Sequence, residues 1–360
     1  MSSAMIGEKV SRNQAIDGLK SISMIMVILL HATGYGIKNM DIEPLSSISV
    51  ITAFLNSFSL VAVNCFVLIS GYCSRQSKKT NYSRLISLWV QVLTYSVGVH
   101  LAAVLLIESV EFSIQALVRK AFPILASQYW FFTAYILLMI IKPFIDVLIC
   151  SMDKKTYARL LVSLWIVFSF IPSLNIFGDP FGTEYGYSLI WFIVLYLLAV
   201  YLKRYPLEKR AYGFFYLGLS FLIFILQLMN QYVQIKHYPN IISTVLNLQR
   251  QYNSPIVLFA SASLFLFAVN HPIAPDRFRG LFTRIASLSF AVYLLHENET
   301  IRNVLWNDWV CLDKAGNNAL CFGFRIVAST ILIFAAGILM EWIRRLILSL
   351  IKTGKTKLTS

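Results

Sequence analysis

The chain is 360 residues long, 58% hydrophobic and only 13% charged, with a formal net charge of +14 and a mean hydropathy of +0.68. That balance excludes a soluble fold, because a water-exposed domain of this length cannot hide so much apolar and aromatic side chain. The basic surplus does not point to nucleic acid either, since no stretch outside the apolar runs is large enough to form a binding domain.

Apolar runs recur along the whole length and predict ten spans, at 15–37, 47–73, 84–107, 129–150, 157–176, 186–203, 211–231, 254–271, 281–300 and 321–349. The expected fold is all-α: a polytopic integral membrane protein forming a single transmembrane domain over residues 1–360. Ten is even, so both termini share one side. The N-terminal tail, the alternate loops and the C-terminal tail together carry 21 Lys or Arg, and the opposite set carries eight. The positive-inside rule then puts both termini in the cytoplasm.

The first span carries Asp17, Lys20 and His31 within its apolar run. Charged groups inside a bilayer cost about 2.5–3.5 kcal/mol each on insertion scales, and they persist where they face a protein interior or a wet cavity. Lys20 and His31 are eleven residues apart, which is three turns, so they share a helix face at ~16 Å axial separation. Asp17 lies within about 60° of both at ~100° per residue. This stripe is the predicted seat of chemistry. A cleaved signal peptide is the rival reading, with Lys9, Arg12 and Lys20 as its basic region, but its small-residue cleavage pattern is poor.

The second span ends in Asn64…Ser70-Gly71-Tyr72, a step that permits close helix packing or a local break. Arg75, Lys78, Lys79 and Arg84 follow, explained by the positive-inside rule or as a phosphate-binding cluster beside Arg12 and Lys20. His100 in the third span is a candidate to converge on the cavity. Tyr129-Trp130-Phe131-Phe132 opens the fourth, and Lys142-Pro143 within it calls for a partner such as Asp146 one turn away. Tyr252-Asn253-Ser254-Pro255 reads as a helix start with proline in its first turn. His296, followed by Glu297 and Glu299, ends the ninth span, and position alone favours a solvated helix terminus there.

The outer segments 108–128, 232–253 and 301–320 hold aromatics such as Trp306 and Trp309, suited to the membrane interface. Cys311 and Cys321 are either bonded or free thiols, whereas Cys65, Cys73 and Cys150 read as small apolar fillers. No Cys/His spacing suggests a metal, and Gly-x-Ser-x-Gly, Walker, GxGxxG and HExxH motifs are all missing from the sequence.

The order Arg12…Asp17-Gly18-Leu19-Lys20…His31, then Phe66-x-x-Ile69-Ser70-Gly71-Tyr72, then Tyr129-Trp130-Phe131-Phe132-Thr133-x-Tyr135, then Val292-Tyr293-Leu294-Leu295-His296 resembles the membrane acyltransferase-3 family. These are mostly bacterial integral-membrane enzymes that O-acylate cell-surface glycans. The resemblance implies that His31 is the catalytic histidine, with Asp17 beside it in the catalytic set, positioning the basic cluster. It implies acyl-CoA contacts at Arg12, Lys20 and Arg75, with Lys78 completing the nearest match to a family pair of arginines. Ser70, Tyr72, Trp130 and His296 are then candidate substrate contacts.

The activity so implied is transfer of an acyl group, acetyl in the leading case, from cytoplasmic acetyl-CoA to a hydroxyl of a cell-surface polysaccharide or lipid-linked glycan, in the plasma membrane of a bacterium. A carrier or flippase for lipid-linked sugars is the alternative from a different class.

Overall fold

The computed structural model describes residues 14–77, 79–208, 210–271 and 279–358. Among them there are helices, turns and loops and no strand. Each predicted span contains helix, but the first helix ends at Ala32 and the second span is two helices. The helices are α1 (Gln14–Ala32), α2 (Ser47–Ser59), α3 (Ala62–Cys73), α4 (Tyr82–Leu106), α5 (Ile114–Ala121), α6 (Trp130–Cys150), α7 (Lys154–Trp165) and α8 (Ile171–Leu174). They continue with α9 (Leu189–Arg204), α10 (Tyr212–Ile235), α11 (Asn240–Leu248), α12 (Pro255–Asn270), α13 (Arg279–His296), α14 (Glu299–Asn303) and α15 (Ala319–Leu358).

Among the described residues, seven segments are long and apolar enough to cross a bilayer, and α12 and most of α13 are shorter apolar helices. The sixth predicted span is α9, whose 16 residues are mostly buried among α3, α6 and α7. The protein is therefore a multi-pass membrane protein. Apolar side chains left on the outer faces, such as Leu105, Phe144, Phe214 and Leu332, are what lipid-facing surfaces require.

The first span is packed on several sides. It packs on α2, α3, α12, α13 and α15, with Leu19, Ile28 and Ala32 fully buried. A segment so deeply packed is part of the folded domain, which disfavours the signal-peptide reading.

Of the two readings of the Ser70-Gly71 step, close packing and a local break, the structure shows the packing. The helix runs on through Ser70 and Gly71, and the glycine is there for packing: a Cβ at Gly71 would lie 2.7 Å from the Ala199 Cβ of α9. The break comes earlier, at Leu60 and Val61, where no Pro or Gly announces it. Ser or Asn side chains cap several helix starts, and at α12 Ser254 accepts from Val257 N ahead of Pro255, as the sequence implied.

Several smaller expectations are corrected. Trp306 is buried in the core, within a π-helical turn at Val304–Val310, and only Trp309 is exposed. Cys65 is a buried filler, but Cys73 and Cys150 are exposed; Cys311 and Cys321 are free thiols.

Candidate active site

Five helix ends meet at one pole of the bundle: the C-termini of α1 and α13 and the N-termini of α6, α9 and α12. His31 closes α1, and His296 closes α13. Their rings lie 5.0 Å apart between centroids, with His31 Nδ1 2.9 Å from His296 Nε2. His296 is fully buried, which corrects the expectation of a solvated helix end. Its Nδ1 bonds the main-chain oxygen of Val292 one turn back.

With both rings neutral, one arrangement of hydrogens satisfies these contacts. A carbonyl only accepts, so His296 Nδ1 carries its proton and His296 Nε2 is a lone pair. His31 Nδ1 then donates, and His31 Nε2 is left as a bare lone pair. That nitrogen has no protein partner among the described residues, and the ring keeps 19% of its side-chain surface open.

Glu297 supplies charge beside this pair. Its Oε2 lies 3.2 Å from His31 Nδ1, a charge contact rather than an aligned hydrogen bond, since that oxygen has no hydrogen-bond donor among the described residues. The other oxygen accepts from Arg302 Nη1 at 2.8 Å and from the Tyr35 hydroxyl at 3.2 Å. Burial opposes the charge on Arg302, yet Glu297 and Tyr35 facing it hold the guanidinium above the usual arginine range.

Neighbouring helices fix this end of α13. The Tyr129 hydroxyl donates to Leu294 O, and Asn298 Nδ2 donates to the same hydroxyl and to Tyr95 O. Lys120 in α5 pairs with Glu299 at 2.9 Å. Behind Val292, α15 comes close: a Cβ at Gly337 would lie 2.6 Å from the Val292 Cα. Gly337→Ala is accordingly expected to push α13 back at the residue that holds His296, with a stability cost of about 1–3 kcal/mol. A thermal melt paired with an activity assay checks this, and a variant unchanged in both would show that α15 can yield instead.

The His31 ring opens on a cavity of about 270 Å³. Met24, Val27 and His31 line it along one face of α1, the face that the spacing of Lys20 and His31 had marked out, and Gly34 lines it in the turn beyond. Trp130, Tyr187 and Tyr252 form an aromatic wall, with Trp130 stacked on Tyr252 at 19° between ring planes. Arg250, Gln251 and Asn56 line it as well.

The other sequence candidates fall in several places. Trp130 lines the cavity, but Asp17 and Lys20 do not. Asp17 is buried and accepts from Thr283 of α13 at 2.9 Å, so it ties the far end of α1 to the helix carrying His296. Lys20 is half-buried near that end.

Ser70 shares a hydrogen bond with the Tyr135 hydroxyl at 2.9 Å, and Tyr72 packs edge-on against Phe265; neither borders the cavity. Arg75 is exposed, and its main-chain oxygen accepts from Lys142 Nζ at 2.8 Å. Lys142 has found its expected partner in Asp146, which also accepts from Tyr196 and from Ser77 N. Arg12 and Lys78 lie outside the described residues. His100 does not converge on the cavity; it is buried elsewhere, bonded to Thr300 at 3.2 Å.

Glu297 stood next to His296 in the sequence without a role, and Tyr35, Arg302 and Arg250 gave no usable signal. The adjacent His296-Glu297 pair at the end of an apolar helix was the one clue.

Fold and site together define a multi-pass membrane protein with one histidine, His31, on a cavity wall and a second histidine and a carboxylate, His296 and Glu297, behind it. Residues 13–344 match the family model described as an acyltransferase domain, the acyltransferase-3 family. The chain belongs to that membrane acyltransferase family, which makes it an acyltransferase rather than a carrier. Searches of curated proteins and of solved structures each returned no match.

Proposed function

We propose that the enzyme transfers an acyl group, acetyl in the simplest case, from acyl-CoA held at the cytoplasmic face to a hydroxyl of a surface polysaccharide or lipid-linked glycan, in a bacterial plasma membrane. The observation that carries this is the hydrogen-bond order around His31, which leaves a lone pair on Nε2 at the cavity wall.

In this reading His31 Nε2 takes the proton of the acceptor hydroxyl as its oxygen attacks the thioester carbonyl. The carbon–sulfur bond breaks, and the imidazolium returns the proton to the departing thiolate. Free CoA and an ester are the products. Glu297 stabilises the transient positive charge on the His31 ring from 3.2 Å. The aromatic wall offers flat faces for a sugar ring.

Arg12, Lys20, Arg75 and Lys78 would hold the CoA phosphates, and of these the described Lys20 and Arg75 lie towards the pole away from His31. The loop-by-loop partition of basic residues supports placing that pole in the cytoplasm. Asp17 would fix the base of α1 on α13, in line with the two histidines.

The test supplies membranes with [¹⁴C]acetyl-CoA and follows label into alkali-labile ester on polysaccharide, alongside analysis of the polymer from cells lacking the gene. The expected result is labelled ester with the wild type, and in the deletion strain a polymer that is present but unesterified. Loss of the whole polymer, with no ester formed in vitro, would overturn the reading.

A further inference from the structure

Arg250, in the loop between α11 and α12, is a cation that the proposed chemistry does not use. It sits between two cavities. One is the His31 cavity, and the other, also about 270 Å³, is bordered by Thr33, Ser49, Thr52, Gln227 and Gln231; Arg250 and Asn56 line both.

The guanidinium is poorly satisfied. Its Nε is buried without a partner, and its Nη1 and Nη2 reach only the neutral oxygens of Asn247 and Asn56, each at 3.4 Å. No carboxylate pairs with it among the described residues. Burial pulls its pKa below the usual arginine value with nothing opposing. The Asn56 oxygen is in turn bonded by Gln227 at 3.2 Å, and the Thr52 hydroxyl is buried without a partner. A cation drawn partly out of water with no counter-ion costs free energy unless an anion joins it. Its planar fork of donors, Nε included, matches one group best: an oxyanion with two coplanar oxygens.

We propose that Arg250 is the binding site for an oxyanion carried by the acceptor, a carboxylate or phosphoryl group on a sugar, so that the acceptor is an acidic saccharide. The hydroxyl and amide side chains of the second cavity suit the hydroxyls of the same or the next sugar. Arg250 lines the same cavity as His31, which Lys20 and Arg75, two of the residues assigned to CoA, do not border, so the anion belongs to the acceptor. This assignment rests on the acceptor-side reading of His31.

The experiment measures equilibrium binding to the full-length protein in nanodiscs with no donor present. The probes are methyl β-glucuronide, glucose 6-phosphate and the neutral methyl β-glucoside. At least one anionic sugar is expected to bind about tenfold or more tightly than the glucoside, the value of one charge-assisted bidentate contact. Preference for the glucuronide identifies a carboxylate as the group read, and preference for the phosphate a phosphoryl group.

Arg250→Gln should erase the preference and Arg250→Lys should keep part of it. Asn56→Asp keeps the arginine but sets a carboxylate against it, and should erase the preference too. Equal binding of all three sugars, no binding of any, or a preference that survives in Arg250→Gln would overturn the proposal. Repeating the binding in His31→Ala, where the preference should persist, separates failure of this subsite from failure of the acyl-transfer reading, which is scored by ester formation alone.

Discussion

Replacing His31 with alanine is expected to lower the rate of acyl transfer by about 10²–10⁴-fold, the usual contribution of a positioned general base. The Michaelis constant for acyl-CoA should stay near the wild-type value under the proposed function, because Lys20 and Arg75, two of the residues assigned there to the nucleotide, do not border the His31 cavity. The change removes a ring that is only partly buried, and the cavity beside it already opens on that surface, so folding should survive. Single-turnover kinetics on purified enzyme in nanodiscs measure both quantities. Wild-type turnover from a correctly folded His31→Ala protein would remove this residue from the chemistry.

Glu297 should give the second large effect, and its two variants separate charge from packing. The side chain is 4% exposed and pairs with Arg302, itself 27% exposed. Glu297→Ala leaves that guanidinium and the Tyr35 hydroxyl facing an empty site, and breaking a buried pair in this way costs about 3–5 kcal/mol. Glu297→Gln keeps the volume and an oxygen for Arg302 and Tyr35 but removes the negative charge opposite His31. Its stability loss should be the smaller of the two, while its kcat falls by roughly 10²-fold at unchanged KM, the scale of a lost preorganised electrostatic contact. Thermal unfolding and steady-state kinetics together read this out. A glutamine variant with full kcat would mean that the carboxylate only props up Arg302.

The bundle could be read from the sequence because each span is a local property: some twenty apolar residues bounded by charge is legible without knowing any neighbour. The same holds for the lined face of α1, since Lys20 and His31 at three full turns must point the same way. What could not be read is pairing across the chain. His31 meets His296 from 265 positions away, and only the packing of α1 on α13 decides that the second histidine is buried rather than solvated. Asp17 shows the limit of angular arithmetic. Lys20, on the same face as His31, misses the cavity as Asp17 does, because the lining of α1 begins only at Met24. The break at Leu60 and Val61 left no trace because tertiary packing imposes it, and Arg250 looked like one more loop charge until its surroundings proved to hold no acid.

The hydrogen-bonded chain that starts at His31 ends, one imidazole later, on a peptide oxygen. An amide carbonyl cannot take up and release protons at physiological acidity, so the wire is a cul-de-sac: it fixes which way each ring faces but conducts nothing across the protein. Under the proposed chemistry, a proton lifted from the sugar hydroxyl stays on His31, steadied by Glu297 at 3.2 Å, until the departing sulfur takes it. Transfer would then draw its driving force from the thioester alone, indifferent to the voltage and pH gradient of the membrane that houses it.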